Sequence, residues 1–328
     1  MIAALWLAAC APPAAVDTDR WTDTVDPDAE HLLATSLVFQ DGHALIELRP
    51  DLTPVWTLDL PPDSGVQGGE RLPNGDTVIA RVQTPPVYVS TFDRIDADGA
   101  VLWSVDDLAL VGFSHGVQAT DAGDYIGLDT VGGAVIGFDE AGTELWHVLV
   151  SDAGEQLRPN GLHVWDAGGG ITYVAVSELG AISGQDTDQV ALYVIPSAGA
   201  TPERLWRVPA MAWGGQGAWP HGPRIDPEGT LTVCHSASGQ IVGYDLGTGE
   251  ELWRLPETGD PARFAFPRDA VFLSDGSLVV ADAGAEVVRV ADPFGAFQVV
   301  AAVPAPGVFG LSPIACGAGG GLPCLGSD

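Results

Sequence analysis

Four segments of the 328-residue chain set a polar side chain beside a small or acidic neighbour at one point of a recurring unit. They are Ser114-His115-Gly116, Pro159-Asn160-Gly161, Pro220-His221-Gly222 and Pro267-Arg268-Asp269. Two looser counterparts are Gln67-Gly68-Gly69 and Phe309-Gly310-Leu311. Aligned, the column reads Gln67, His115, Asn160, His221, Arg268 and Phe309. If the unit repeats around an axis, these side chains converge. Two imidazoles, an amide and a guanidinium then make a locally cationic cup, suited to a sulfate, phosphate or carboxylate. A plainer role is also open to them: inner-strand His and Asn beside Gly bond the backbone of the adjacent unit, and Arg268 pairs with Asp269 or Asp282.

The elements that must position this column are legible from a repeat. A Trp preceded by an aliphatic residue recurs as Val55-Trp56, Leu102-Trp103, Leu145-Trp146, Leu205-Trp206 and Leu252-Trp253, at spacings of 47, 43, 60 and 47 residues. Phe297 occupies the sixth position, 44 residues on. A turn precedes most of these, as in Asp96-Ala97-Asp98-Gly99 and Asp139-Glu140-Ala141-Gly142. A second turn recurs earlier in each unit: Pro73-Asn74-Gly75, Asp121-Ala122-Gly123, Asp166-Ala167-Gly168, Pro227-Glu228-Gly229 and Ser274-Asp275-Gly276. Gly and Asn tolerate the positive φ of tight hairpins, and Asp caps its own turn.

The third unit predicts strands over 115–120, 125–130, 134–139 and 144–150. Four short antiparallel strands per period of about 45 residues is the pattern of a propeller blade. The expectation is an all-β, six-bladed β-propeller over residues 31–316. The first unit has three strands, 32–39, 44–48 and 55–60. The segment 307–314 supplies its missing strand, so the C-terminal strand closes the first blade and removes both open edges.

One face collects the departures from the repeat. An insertion, 178–189, lengthens the fourth unit, and the connection 211–220 brings Trp213 and Trp219 toward the fifth. Loops longer than a fold requires are where function tends to sit. With Gln67, Asn160 and Arg268, these two indoles make the expected ligand-binding set. The occupant expected is a small anionic or aromatic ligand, or a protein or glycan partner at the decorated face.

Composition narrows the choices. The formal charge is −31, from 44 acidic residues against 13 bases, all of them Arg. Such a surface repels phosphate backbones, and no basic stripe with interleaved aromatics occurs, which excludes nucleic acid as a partner. Hydrophobic residues make up 46% of the chain, enough for a packed core. No Gly-x-Ser-x-Gly elbow is present. The acidic turns lack a full set of calcium ligands, and the cysteines have no histidines at zinc spacing. No metal and no cofactor is expected.

The unit His-Gly…Asp-x-Gly…turn…Leu-Trp, plainest over 115–150 and 221–255, resembles the arylsulfotransferase-like propellers. The stretch Phe266-Pro-Arg-Asp-Ala followed by Asp275-Gly-Ser-Leu-Val-Val-Ala-Asp282 resembles NHL-type repeats. The first resemblance implies sulfuryl transfer through a channel histidine, with His115 and His221 as the catalytic candidates and cationic donors stabilising the transferring group. That family uses a further channel histidine, and no histidine follows His235 here. The preferred expectation is therefore a binding lipoprotein of this type, and the alternative is an active aryl-sulfate sulfotransferase.

The N-terminus, an apolar run ending in Leu7-Ala8-Ala9-Cys10, resembles the lipobox of bacterial lipoproteins. The resemblance implies a signal over 1–10, lipidation at Cys10, and an extracytoplasmic protein attached to a bacterial membrane through its lipid. Residues 11–30, rich in Ala, Pro, Asp and Thr, read as a solvated tether. Residues 317–328 form a Gly-rich tail, and Cys316 and Cys324 bracket a flexible stretch able to close as a disulfide in an oxidising compartment.

Overall fold

The computed structural model describes residues 30–315, apart from 37–42, 61–63, 84–88, 106–112, 154, 181–187, 213–216, 227, 258–263, 284–285 and 305–307. Cys10, the tether, Trp213, Cys316 and Cys324 lie outside the described residues, and the side chain of Phe309 does too.

The described chain is a β-propeller whose strands assemble as six four-stranded antiparallel sheets. Five sheets use four consecutive strands. The second blade holds β4 (Ser64–Arg71), β5 (Thr77–Gln83), β6 (Val89–Ile95) and β7 (Val101–Val105). The third holds β8 (Val117–Ala119), β9 (Tyr125–Asp129), β10 (Ala134–Phe138) and β11 (Glu144–Leu149). The fourth is β12 (Arg158–Asp166), β13 (Thr172–Leu179), β14 (Gln189–Ile195) and β15 (Glu203–Pro209). In the fifth are β16 (Pro220–Ile225), β17 (Thr230–His235), β18 (Gln240–Asp245) and β19 (Glu251–Leu255). The sixth comprises β20 (Pro267–Phe272), β21 (Leu278–Asp282), β22 (Glu286–Ala291) and β23 (Gln298–Pro304). The remaining sheet combines β1 (Glu30–Ser36), β2 (His43–Leu48) and β3 (Pro54–Asp59) with β24 (Val308–Ala315), which pairs antiparallel to β1 with Leu33 opposite Ser312. The innermost strands, β4, β8, β12, β16, β20 and β24, adjoin one another in ring order.

The hairpins follow from the turn residues. Gly75, Gly123, Gly168, Gly229 and Gly276 all have positive φ. A Cβ at Gly123 or Gly276 would meet nothing within 4 Å, so conformation and not space demands glycine there. Between blades, the core is continuous aliphatic packing, such as Leu128, Val135, Leu162 and Val176 between the third and fourth.

The recurring Trp directly follows the bulged residue in five of the outer strands. Trp103 faces Arg94, Trp146 faces Gly137, Trp206 faces Leu192, Trp253 faces Gly243, and Trp56 faces Glu47. The Trp206 and Trp56 indoles donate to Leu246 O (2.8 Å) and Ala97 O (3.2 Å) in the next blade's turn. In the sixth blade the same register belongs to Ala301, opposite Arg289, and not to Phe297. Phe297 precedes β23 with φ +47° and packs against Phe264. The aromatic survives there, but outside the ladder. The third blade's first strand is also shorter than expected: it starts at Val117, leaving His115 before it.

Candidate functional site

The column residues gather at one mouth of the channel because the inner strands bulge there. Pairing of β4 with β5 skips Gln67, pairing of β12 with β13 skips Asn160, and pairing of β20 with β21 skips Arg268. A bulged residue leaves the ladder and its side chain is re-aimed. Gln67, His115, Asn160, His221 and Arg268 together line a cup with about 460 Å³ of empty space, counting its open mouth.

The glycine that follows each column residue has a separate cause. A Cβ on Gly161 would lie 2.7 Å from the Pro223 ring, and one on Gly222 would lie 2.7 Å from the Asp269 Cα. Neighbouring inner strands approach too closely there for a side chain. In the sixth blade this position is Asp269, which uses its carboxylate to join three blades. Asp269 pairs with Arg224 through Nε (3.1 Å) and Nη2 (2.7 Å), and accepts from the backbone N–H of Ala270 and Leu311, each at 2.9 Å. Arg224 also donates to Leu311 O. This pair forms the floor of the cup. Burial raises the Asp269 pKa, and the Arg224 charge opposes that rise. Asp269 holds Arg224 and its charge also acts on Arg268, while Asp282 accepts from the N–H groups of Ala265 (2.7 Å) and Phe266 (2.6 Å).

The two imidazoles are set by matching relays. Thr130 Oγ1 donates its single proton to Pro159 O (2.7 Å), so it can only accept from His115, whose Nδ1 is 2.8 Å away. Ser236 Oγ likewise donates to Pro267 O, and His221 Nδ1 lies 2.7 Å from that hydroxyl and 2.8 Å from Trp219 O. Both rings therefore carry their proton on Nδ1 and turn an Nε2 lone pair to the cup. Burial, aided by the nearby Arg268 charge, pushes the His115 pKa down to about 3 and that of His221 well below its usual value, so both are neutral at pH 7. Asn160 Nδ2 donates to Pro220 O at 3.2 Å. Asn160 and the two relay hydroxyls thus tie the third, fourth and fifth blades to the backbone of the next.

Gln67 is 5% exposed, and its Oε1 has no hydrogen-bond partner among the described residues. Arg268 is 9% exposed; burial lowers its pKa to about 9, and its guanidinium lies 5.7 Å from the Phe266 ring. Phe266 contacts Trp219 edge-on at 6.0 Å, and Phe113 stands against His115 at 4.9 Å. Trp219 is 54% exposed with φ +49°, held through its N–H to Asp188 Oδ2 (2.7 Å). A non-glycine residue in that region is strained, and such strain collects at binding sites.

A deeper layer escaped the sequence reading. Three residues past the column stand Glu70, Gln118, His163 and Arg224. Glu70 Oε2 accepts from Ala119 N (3.0 Å), Gln118 Oε1 from Val164 N (2.5 Å), and His163 Nδ1 from Ile225 N (2.9 Å). In each case a side chain in one blade accepts the same backbone N–H of the next. Four unlike residue types fill these positions, so no motif marks them. Burial raises the Glu70 pKa to about 7 and lowers that of His163 well below its usual value. Among the described residues no cluster of three His, Cys, Asp or Glu side chains has metal-binding geometry.

Fold and cup define a β-propeller with a polar channel mouth and a closed ionic floor. Residues 133–305, more than half of the chain, match the family described as outer membrane protein assembly factor BamB, and the chain belongs to that family. No curated protein matches the sequence. Among solved structures, the Pseudomonas aeruginosa periplasmic gluconolactonase PpgL is similar with a TM-score of 0.59 at 13% identity, over 88% of this chain and 99% of that one. A streptogramin B lyase gives 0.55 at 14%, over 88% and 89%. A functionally unknown protein from Desulfotomaculum acetoxidans gives 0.55 at 12%, over 88% and 86%. At these identities the likeness is one of fold. The resemblance to arylsulfotransferase-like propellers finds no support in these matches; the family shown is BamB.

Proposed function

We propose that the chain is an extracytoplasmic binding propeller that takes a small, negatively charged ligand in its channel cup. In this reading the six sheets close as a six-bladed ring through β24, and Cys10 anchors the protein to a membrane. Membership of the BamB family and the fold shared with a periplasmic protein support the extracytoplasmic placement.

The observation that carries the binding reading is Arg268. It is the guanidinium at the mouth layer of the cup, buried deeply enough to depress its pKa, in a chain of formal charge −31. A guanidinium lining the cup offers a carboxylate charge-assisted, bidentate hydrogen bonds. Calorimetry with a panel of small carboxylates, comparing wild type with Arg268→Gln, tests it. Saturable binding that Arg268→Gln weakens at least tenfold supports the cup; binding indifferent to Arg268 sinks it.

The family description favours a second reading, in which the decorated face holds a protein partner. Trp219, large, exposed and strained, is the residue most suited to anchor one. Crosslinking in the producing cell, followed by identification of the captured protein, tests this: Trp219→Ala should abolish capture while leaving the fold intact.

A further inference from the structure

The hydrogen-bonding polarity of the cup specifies its ligand more narrowly than its charge does; this rests on the cup being the binding site proposed above. Three groups around the mouth are acceptors. The relays through Thr130 and Ser236 leave His115 Nε2 and His221 Nε2 as lone pairs. Gln67 Oε1 is buried, belongs to a residue that lines the cup, and has no donor among the described residues. Arg268 is the cationic donor beside them. A ligand filling this cup must offer an anionic oxygen to Arg268 and protons to the three acceptors. Sulfate has no proton to give at neutral pH and would press its oxygens against two imidazole lone pairs. An ammonium donor would bring a second cation beside the buried Arg268 guanidinium. Hydroxyl groups donate without adding charge. Phe113 packs on the His115 ring, and Phe266 on the His221 ring and the Arg268 guanidinium, so these aromatics back the cup's polar groups.

We propose that the cup takes a hydroxylated carboxylate: carboxylate on Arg268, and hydroxyls donating to His115 Nε2, His221 Nε2 and Gln67 Oε1. The acceptor set selects the hydroxyls, and Arg268 selects the charge. An unpaired buried acceptor penalises a ligand that lacks the matching donor, which gives discrimination of the order of tenfold or more per missing group.

The experiment is titration calorimetry on the full chain at pH 7 with four probes: gluconate, hexanoate, sorbitol and sulfate. Hexanoate matches the chain and charge without hydroxyls, sorbitol the hydroxyls without charge, and sulfate the charge alone. The expected result is saturable gluconate binding with a Kd at least tenfold below those of the other three. Gln67→Leu, which removes an acceptor without disturbing either relay, should weaken gluconate at least tenfold while thermal unfolding shows the fold retained. Arg268→Gln should weaken it at least as much. Hexanoate or sulfate bound as tightly as gluconate, in an Arg268-dependent way, overturns the hydroxyl requirement and leaves the anion-binding cup standing. Gluconate binding that ignores both substitutions places the site elsewhere and overturns the proposal. Wild type that binds none of the four overturns both readings.

Discussion

Asp269→Asn is the substitution that should damage the ring most for the smallest change in shape. Asp269 accepts four hydrogen bonds, two from Arg224 and one each from the Ala270 and Leu311 amides, with the acid and base side chains only 4% and 13% exposed. The asparagine keeps one acceptor oxygen and replaces the other with an amino group. If that group takes the Oδ2 place, it meets the Leu311 N–H and an Arg224 N–H, donor against donor. If it takes the Oδ1 place, it meets Arg224 Nε–H and the Ala270 N–H. Either way Arg224 stays charged and buried without its counter-ion. Removing one member of a buried pair costs about 3–5 kcal/mol, because the partner is left uncompensated. Urea unfolding followed by tryptophan fluorescence reads this as a lower midpoint at unchanged slope. Hydrogen exchange should show the Leu311 or the Ala270 amide exchanging faster, since one of the two loses its acceptor. Arg224→Met combined with Asp269→Leu should cost less than the sum of the single changes, with a coupling of about 2 kcal/mol or more. If Asp269→Asn costs under about 1 kcal/mol, the floor is solvated and the clasp is not what joins the three blades.

Other expectations follow from the same geometry. Gln67→Leu should leave stability unchanged or raise it by about 1 kcal/mol in thermal unfolding, because an unsatisfied buried carbonyl is removed; a large loss would mean Gln67 is already satisfied. Gly243→Ala sets a methyl against the Trp253 indole and should cost about 1–3 kcal/mol in urea unfolding. Ser236→Ala breaks the His221 relay and should cost about 1–2 kcal/mol, also by urea unfolding.

Acid should destabilise the fold, most steeply between pH 4.5 and 3. His115 and His235 have folded pKa values lowered from 6.5 to about 3, so the unfolded chain binds more protons and stability falls as pH drops through that window. Glu70 and Glu178 are raised from 4.5 to about 7 and act oppositely: their contribution is full below 4.5 and is lost as pH rises to 7. The two effects offset each other between 6.5 and 4.5. Below 4.5 the carboxyl gain is complete while the two imidazoles still cost about 2–3 kcal/mol per pH unit. Urea midpoints measured from pH 8 to 3.5 check the shape, and a flat profile below 4.5 would contradict the burial of these rings.

The period was readable because Trp, Gly and Asp turns recur for physical reasons: in five blades an outer-strand indole fills the place after the bulge, and a tight hairpin needs positive φ. The column was readable because bulge and glycine leave a local trace, as at Pro159-Asn160-Gly161 and Pro220-His221-Gly222. Phe297 misled because an aromatic beside a strand looks, in sequence, like an aromatic within it; only register shows Ala301 in the Trp place. The Arg224–Asp269 clasp joins residues 45 apart and has no counterpart in other blades, so nothing repeats to reveal it. The relay hydroxyls Thr130 and Ser236 were invisible for a similar reason, since a Ser or Thr after a strand is too common to signal.

The joints of the deeper layer have a consequence for how such a chain can drift. Glu70, Gln118 and His163 each grip a peptide N–H, not a side chain, in the following blade. A peptide N–H is present whatever residue carries it, proline excepted. Mutation on the receiving side therefore leaves the joint untouched, and on the gripping side any group with a suitably placed lone pair will serve. Each blade can change its sequence without consent from its neighbours. The repeat is erased first where the blades are joined and persists in the turns, which is how a regular ring comes to be written in six dissimilar phrases.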